Sequence, residues 1–214
     1  MKSFMLTIVL LSMPGLAWTA EPQVEMHRVG ATTKDPSGSG WYLAASTHGT
    51  FSVLIPIPFN DFTGTYDDPR YGTNKTFIVG AKTAEGIEFT ATERPVLAGN
   101  TFTNLTSLPQ QFSKSGHEVS DVDTSLFAGY PSVSFSVKGP SGGAYMRYVK
   151  MPKRYILVML EYPKNQARTA QEFGPTFLSS LKVNKPEEER AKPDRVGIID
   201  RGETNRPSSA ATAY

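Results

Sequence analysis

The sequence predicts an α+β domain, a central antiparallel β-sheet flanked by two helices, followed by a disordered charged tail. Three observations carry this. Short segments alternate apolar and polar side chains with period two and are joined by Gly- and Asp-bearing turns, the pattern of antiparallel strands. Two other stretches repeat apolar residues at spacings of three and four, as a helix with one buried stripe does. Residues 184–214 hold six basic and six acidic side chains, three prolines and one aromatic, Tyr214. Such a segment cannot bury enough apolar surface to offset the entropy of ordering it.

The N-terminus reads as an address. Lys2 precedes a ten-residue apolar run, Phe4 to Met13, which Pro14-Gly15 breaks. Small residues follow, with Ala17 and Ala20 as alternative cleavage points, so residues 1–20 are expected to be a secretory signal peptide. The run is well short of the roughly 20 apolar residues that span a bilayer, which argues against a retained anchor. Residues 21–40 are expected to lead into the domain, with Lys34 to Gly40 as turn material.

The folded part is then expected over residues 41–183. Trp41–Ser46 and Thr50–Pro56 form a hairpin across Thr47-His48-Gly49, with Phe51, Val53 and Ile55 on one face. Asn60 to Asn74 reads as a long polar loop. A second hairpin aligns Phe77, Val79 and Ala81 with Ile87, Phe89 and Ala91, leaving Glu88, Thr90 and Thr92 to water. Phe102, Leu105, Leu108 and Phe112 predict a helix that Gly116 terminates, although Pro109 argues against an unbroken one. Val133, Phe135 and Val137 alternate with three serines. Gly139-Pro140-Ser141-Gly142-Gly143 turns the chain into Ala144–Met151. Tyr155 to Leu160 is apolar on both faces and so belongs at the centre of the sheet. Ala170, Phe173, Phe177 and Leu181 mark a last helix, which Gly174-Pro175 should kink or restart. Val196-Gly197-Ile198-Ile199 is the tail's one apolar patch, a short docking motif or a plain interruption.

Composition narrows the function classes. With 22 Lys+Arg against 20 Asp+Glu there is no electrostatic case for nucleic acid. The absence of cysteine excludes disulfides, thiolate metal sites, a cysteine nucleophile and an acylated cysteine anchor. Stability must therefore come from burial, and 12 Phe, 9 Tyr and 2 Trp supply the material for a core.

The strand order, together with particular strings, resembles the PsbP-like family. Gly49-Thr50-Phe51-Ser52-Val53-Leu54-Ile55-Pro56 is similar to that family's opening Gly-x-Phe-Ser-Val-x-x-Pro strand. Ala128-Gly129-Tyr130-Pro131 with Val133-Ser134-Phe135 resembles a turn and strand in mid-domain. Tyr155-Ile156-Leu157-Val158 and Phe177-Leu178-Ser179-Ser180-Leu181 resemble the closing strand and helix. The resemblance covers about residues 41 to 183. It implies a central antiparallel sheet between helices, an α/β/α sandwich, in a fold shared with a small Ran-GTPase-binding protein. It brings no catalytic signature, and fold alone does not assign function.

Gly139 to Gly143 is similar to the Gly-Asp-Ser-Gly-Gly of chymotrypsin-type proteases, with proline in place of aspartate. A nucleophilic Ser141 needs an oriented imidazole; of the three histidines, His27, His48 and His117, none sits in that family's context and His27 lies in the leader segment, so the string reads as a Gly-rich connection between strands. Asp61, Asp67 and Asp68 are candidate hard-oxygen metal ligands, without the spacing of an EF-hand. No phosphate-binding glycine motif occurs; Ser37-Gly38-Ser39-Gly40 precedes a strand and not a helix. Asn74-Lys75-Thr76 and Asn104-Leu105-Thr106 match the glycosylation pattern. Arg147, Lys150, Lys153 and Arg154 form a small basic group that could meet an anionic lipid surface or an acidic partner.

The expectation is a periplasmic or secreted, non-catalytic binding or assembly module of the cell envelope, with a protein partner, no cofactor and no assigned catalytic residue. The alternatives are a small secreted hydrolase or metal-assisted enzyme, and a membrane-surface protein that keeps its N-terminal anchor.

Overall fold

A computed structural model describes residues 23–68, 71–96 and 104–184. All of these described residues lie in one compact unit. The expected signal peptide, Phe102 and the tail beyond Asn184 lie outside the described residues.

In chain order the elements are β1 (Gln23–Ala31), β2 (Tyr42–Ala45), β3 (Phe51–Ile55), β4 (Phe59–Asp68), β5 (Gly72–Lys82) and β6 (Glu88–Pro95). A 3-10 turn at Leu105–Ser107 leads into α1 (Leu108–Lys114). Then come β7 (Glu118–Phe127), β8 (Tyr130–Lys138), β9 (Gly142–Lys150), β10 (Arg154–Pro163), α2 (Ala167–Ser179) and β11 (Lys182–Val183). Eight strands form one sheet in the order β1-β4-β5-β6-β10-β9-β8-β7, and β11-β3-β2 form a second. Every pairing between these strands is antiparallel.

Two cores follow from the period of two. Phe59, Val79, Ala81, Phe89, Ala91, Ile156, Val158 and Leu160 share one side of the large sheet. They pack against Phe51, Val53 and Ile55 of β3 and against Ala170 and Phe177 of α2. On the other side Val133, Phe135, Met146, Tyr148, Tyr155 and Met159 pack with Leu105, Leu108 and Phe112. As its doubly apolar sequence predicts, β10 lies inside the sheet, between β6 and β9.

Several expectations need correction. Residues 21–40 are not merely a lead-in, because Gln23–Ala31 is an edge strand paired with β4. Asn60 to Asn74 is not a loop but most of β4 and the start of β5. The reason is shared: the core-facing positions here carry His27, Arg28, Asp61 and Thr63, whose mutual bonds make burial tolerable but hide the apolar alternation. β7 has no apolar alternation to mark it in the sequence, because it is exposed along most of its length. The first hairpin forms with Tyr42 opposite Ile55, but it joins β11 in a separate sheet instead of the central one. The faces expected to meet water are partly covered: Thr92, Ser132 and Ser136 are buried.

The helices obey their terminators. Pro109 falls in the first turn of α1, where a missing N–H costs nothing, and Gly116 follows with φ +85°. α2 runs through Pro175 as one helix. Gly174, just before it, lies face-on to Tyr145, and a Cβ there would come 2.8 Å from the ring.

The Gly139–Gly143 turn also finds its reason in packing. A Cβ on Gly143 would lie 2.5 Å from the Val137 carbonyl oxygen, and one on Gly142 would strike the Tyr162 carbonyl. Both neighbours are backbone groups that cannot give way. Gly143→Ala is therefore expected to destabilise the domain by about 2 to 3 kcal/mol, read as a lower urea midpoint at unchanged slope.

Candidate functional site

The densest cluster of chemistry-bearing side chains lies where the loop between β2 and β3 crosses the large sheet. The bulge in β1 between Met26 and Arg28 turns both His27 and Arg28 toward this side. Alternation in β4 sends Asp61 and Thr63 the same way, and Phe77 of β5 lies opposite both Thr63 and Glu93.

Asp61 is fully buried. Its Oδ2 accepts from Arg28 Nε at 3.0 Å and Nη2 at 2.7 Å, from the Thr47 amide at 3.1 Å and from the Thr47 hydroxyl. Arg28 also donates to the Ala45 carbonyl. Among the described residues the buried Asp61 Oδ1 finds no hydrogen-bond partner. Glu93 repeats the design: it takes Arg154 Nη1 at 2.7 Å, the Thr50 amide at 2.6 Å and the Thr50 hydroxyl at 3.0 Å. Each buried carboxylate thus has a guanidinium and two donors from one threonine of the loop, the charge-assisted set that a buried carboxylate needs.

Between these anchors His27 Nε2 lies 2.8 Å from Thr63 Oγ1. The His48 ring stands edge-on to His27, with centroids 4.5 Å apart. With Glu25 3.9 Å from His27 Nδ1, the line Thr63–His27–Glu25 has the order of a nucleophile, base and orienting carboxylate. Thr63, however, is only 4% exposed, so its hydroxyl has no approach for a carbonyl carbon. Chemically the seam is a fastening between two sheets.

The predicted site residues separate. Asp61 belongs to the seam; Asp67 and Asp68 lie at the far end of β4, roughly 20 Å away at strand rise. Asp67 is exposed and accepts from the Thr73 hydroxyl at 2.6 Å, while Asp68 is buried. Among the described residues no group of three or more His, Asp or Glu could hold a metal ion. The Ser141 hydroxyl has no hydrogen bond to either His48 or His117; His117 lies beside Gly139 and edge-on to Phe112. Arg147 donates to the Leu178 carbonyl at 3.0 Å and Arg154 is held by Glu93, so half of the expected basic group faces inward. Asn74 is buried with Nδ2 on the Gly72 carbonyl, whereas Asn104 is exposed and caps Thr106.

Two residues important to the seam were not singled out from sequence: Glu93 and Arg28. Glu93 shares the parity of the buried Phe89 and Ala91, and a charged residue at such a position is the available signal; Arg28 shares the parity of the exposed Val24 and Met26 and faces the seam only through the bulge, which the sequence does not show.

A second ionisable pair lies on the opposite side of the sheet. Glu161 is directly across from Glu88, which also holds Lys82 at 3.3 Å. Burial and then the Glu88 charge push the Glu161 carboxyl up, with Lys82 working against them. The folded chain therefore binds this proton more tightly than the unfolded chain does. The penalty is present at neutral pH and fades as pH falls through the raised value. Glu161→Gln is expected to stabilise the domain at neutral pH by up to about 1 kcal/mol once solvent screening is allowed for. Melts from neutral to mildly acidic pH should show the wild type closing that gap. Burial likewise pushes up the phenols of Tyr148 and Tyr155, so both remain neutral core groups.

No protein-family model matches the sequence, and no curated protein matches it. Among solved structures, the chain is similar to the solution structure of cyanobacterial PsbP (CyanoP) from Synechocystis sp. PCC 6803. The TM-score is 0.44 and the identity 14%, over 70% of this chain and 98% of that one.

Proposed function

We propose that the protein is an exported, non-catalytic binding or assembly module of the cell envelope that recognises a protein partner through its edge strands. The observation that carries this is where most of the exposed large apolar side chains among the described residues lie. Val24, Met26 and Val29 are on β1, and Val122 and Leu126 are on β7, the two outer strands of the eight-stranded sheet. Val29 and Leu126 are 74% and 72% exposed.

Both edges are bulged: β1 on either side of Arg28, and β7 between Ser120 and Asp123, where Asp121 has φ +55°. Bulges stop one sheet from extending into another. Recognition would therefore use side chains and not added strands. The seam supports the same reading, because its carboxylates are spent on Arg28, Arg154 and the loop threonines. Export rests on the N-terminal pattern of Lys2, the apolar run and the small residues after it.

The test is cross-linked capture from a native envelope fraction, using the chain with and without residues 185–214. One specific partner taken by both forms is the expected result. A partner taken only by the longer form would move recognition to the tail, and none by either would favour a small ligand or catalysis.

A further inference from the structure

We infer that the loop between β2 and β3 is a strap that acid releases, with the adjacent imidazoles of His27 and His48 as its trigger. The loop is tied near each end and loaded in the middle. Thr47 binds Asp61 on one side and Thr50 binds Glu93 on the other. His48, between them, holds its ring against His27 at 4.5 Å and lies 6.3 Å from Phe77. His27 is fixed by its strand and by Thr63, with its side chain only 10% exposed, whereas His48 is exposed.

Neutral imidazoles pack edge to face as other aromatic rings do. Imidazole is also the side chain that ordinarily gains charge between pH 5 and 8. Two imidazolium rings at 4.5 Å repel, and with the His27 side chain only 10% exposed water screens them less than it would two free rings.

The surrounding charges do not absorb this. On β1, Arg28 is positive and committed to Asp61 of β4. Arg154 of β10 is committed to Glu93 of β6. Lys75 of β5, two residues from Phe77, is exposed and positive. Glu25 of β1 is 3.9 Å from His27 Nδ1 but 75% exposed, one screened carboxylate against two new positive charges. His48 can relieve the repulsion by swinging outward, and it then pulls on Thr47 and Thr50. Release uncovers Phe77 and His27 and changes the surface presented in acid.

The Thr47 and Thr50 amides, as donors to Asp61 and Glu93, report the strap directly. Hydrogen exchange of the full chain would be followed by NMR at about pH 7.5 and about pH 5, either side of the ordinary imidazole range, and corrected for intrinsic rates. Protection of both amides is expected to fall about tenfold or more in acid, while β10 amides stay protected. His48→Gln and, independently, His27→Gln should abolish the fall. Unchanged protection in the wild type would overturn the inference. So would an equal fall in His48→Gln, which would assign release to the carboxylates, or an equal loss in β10, which would make it global unfolding.

Discussion

Phe135→Ala is expected to destabilise the domain by about 3 to 5 kcal/mol, the usual cost of emptying a buried phenylalanine site. The side chain is 2% exposed. Its ring lies parallel to Tyr148 at 6.2 Å and tilted against Phe112 of α1 at 5.5 Å. Removing it takes away both a β8–β9 contact and the main aromatic purchase of α1 on the sheet. The surrounding strands are fixed by ladders on both sides, so the cavity cannot collapse. For a domain of this size the loss corresponds to a drop of about 6 to 20 °C in melting temperature. An unchanged melt would mean that the register of β8 is wrong by one residue.

Arg28→Ala is expected to cost about 3 kcal/mol, the lower end of the range for stranding a buried charge. The lower end applies because the Arg28 side chain is itself 33% exposed. Asp61 would keep only the Thr47 donors, with Oδ1 already lacking a partner. Replacing both members by apolar residues, Arg28→Met with Asp61→Leu, should cost less than Arg28→Ala alone, because no charge is then left in the core. Urea midpoints of the two variants, measured side by side, check the order.

The sequence was legible where burial and hydrophobicity agree. β3, the β5–β6 hairpin, β8, β10 and α2 each put apolar residues on the covered face, so period alone finds them. It was not legible at β1 and its neighbour β4, nor at β7. β4 buries Asp61 and Thr63, β1 turns His27 and Arg28 inward while Val24 and Met26 face out, and β7 is exposed along most of its length. In each the usual relation between polarity and exposure is inverted or absent. The seam was hidden for a further reason: Arg28 and Asp61 are 33 residues apart, and Glu93 and Arg154 are 61 apart. Only the fold brings them together. In the sequence Asp61 resembles a metal ligand in a loop; a buried acid at a core position of a strand asks instead for a cation from elsewhere in the chain.

The proposal that the two sheet edges carry recognition is tested most directly by charged substitutions on each. Met26→Glu with Val29→Glu on β1, and Leu126→Glu on β7, change exposed side chains and should leave the melting temperature within a few degrees of wild type. Captured from the same envelope fraction under the same cross-linking conditions, a partner of the wild type should be lost from at least one of the two variants. Equal capture by the wild type and both variants would contradict a role for the edges in binding.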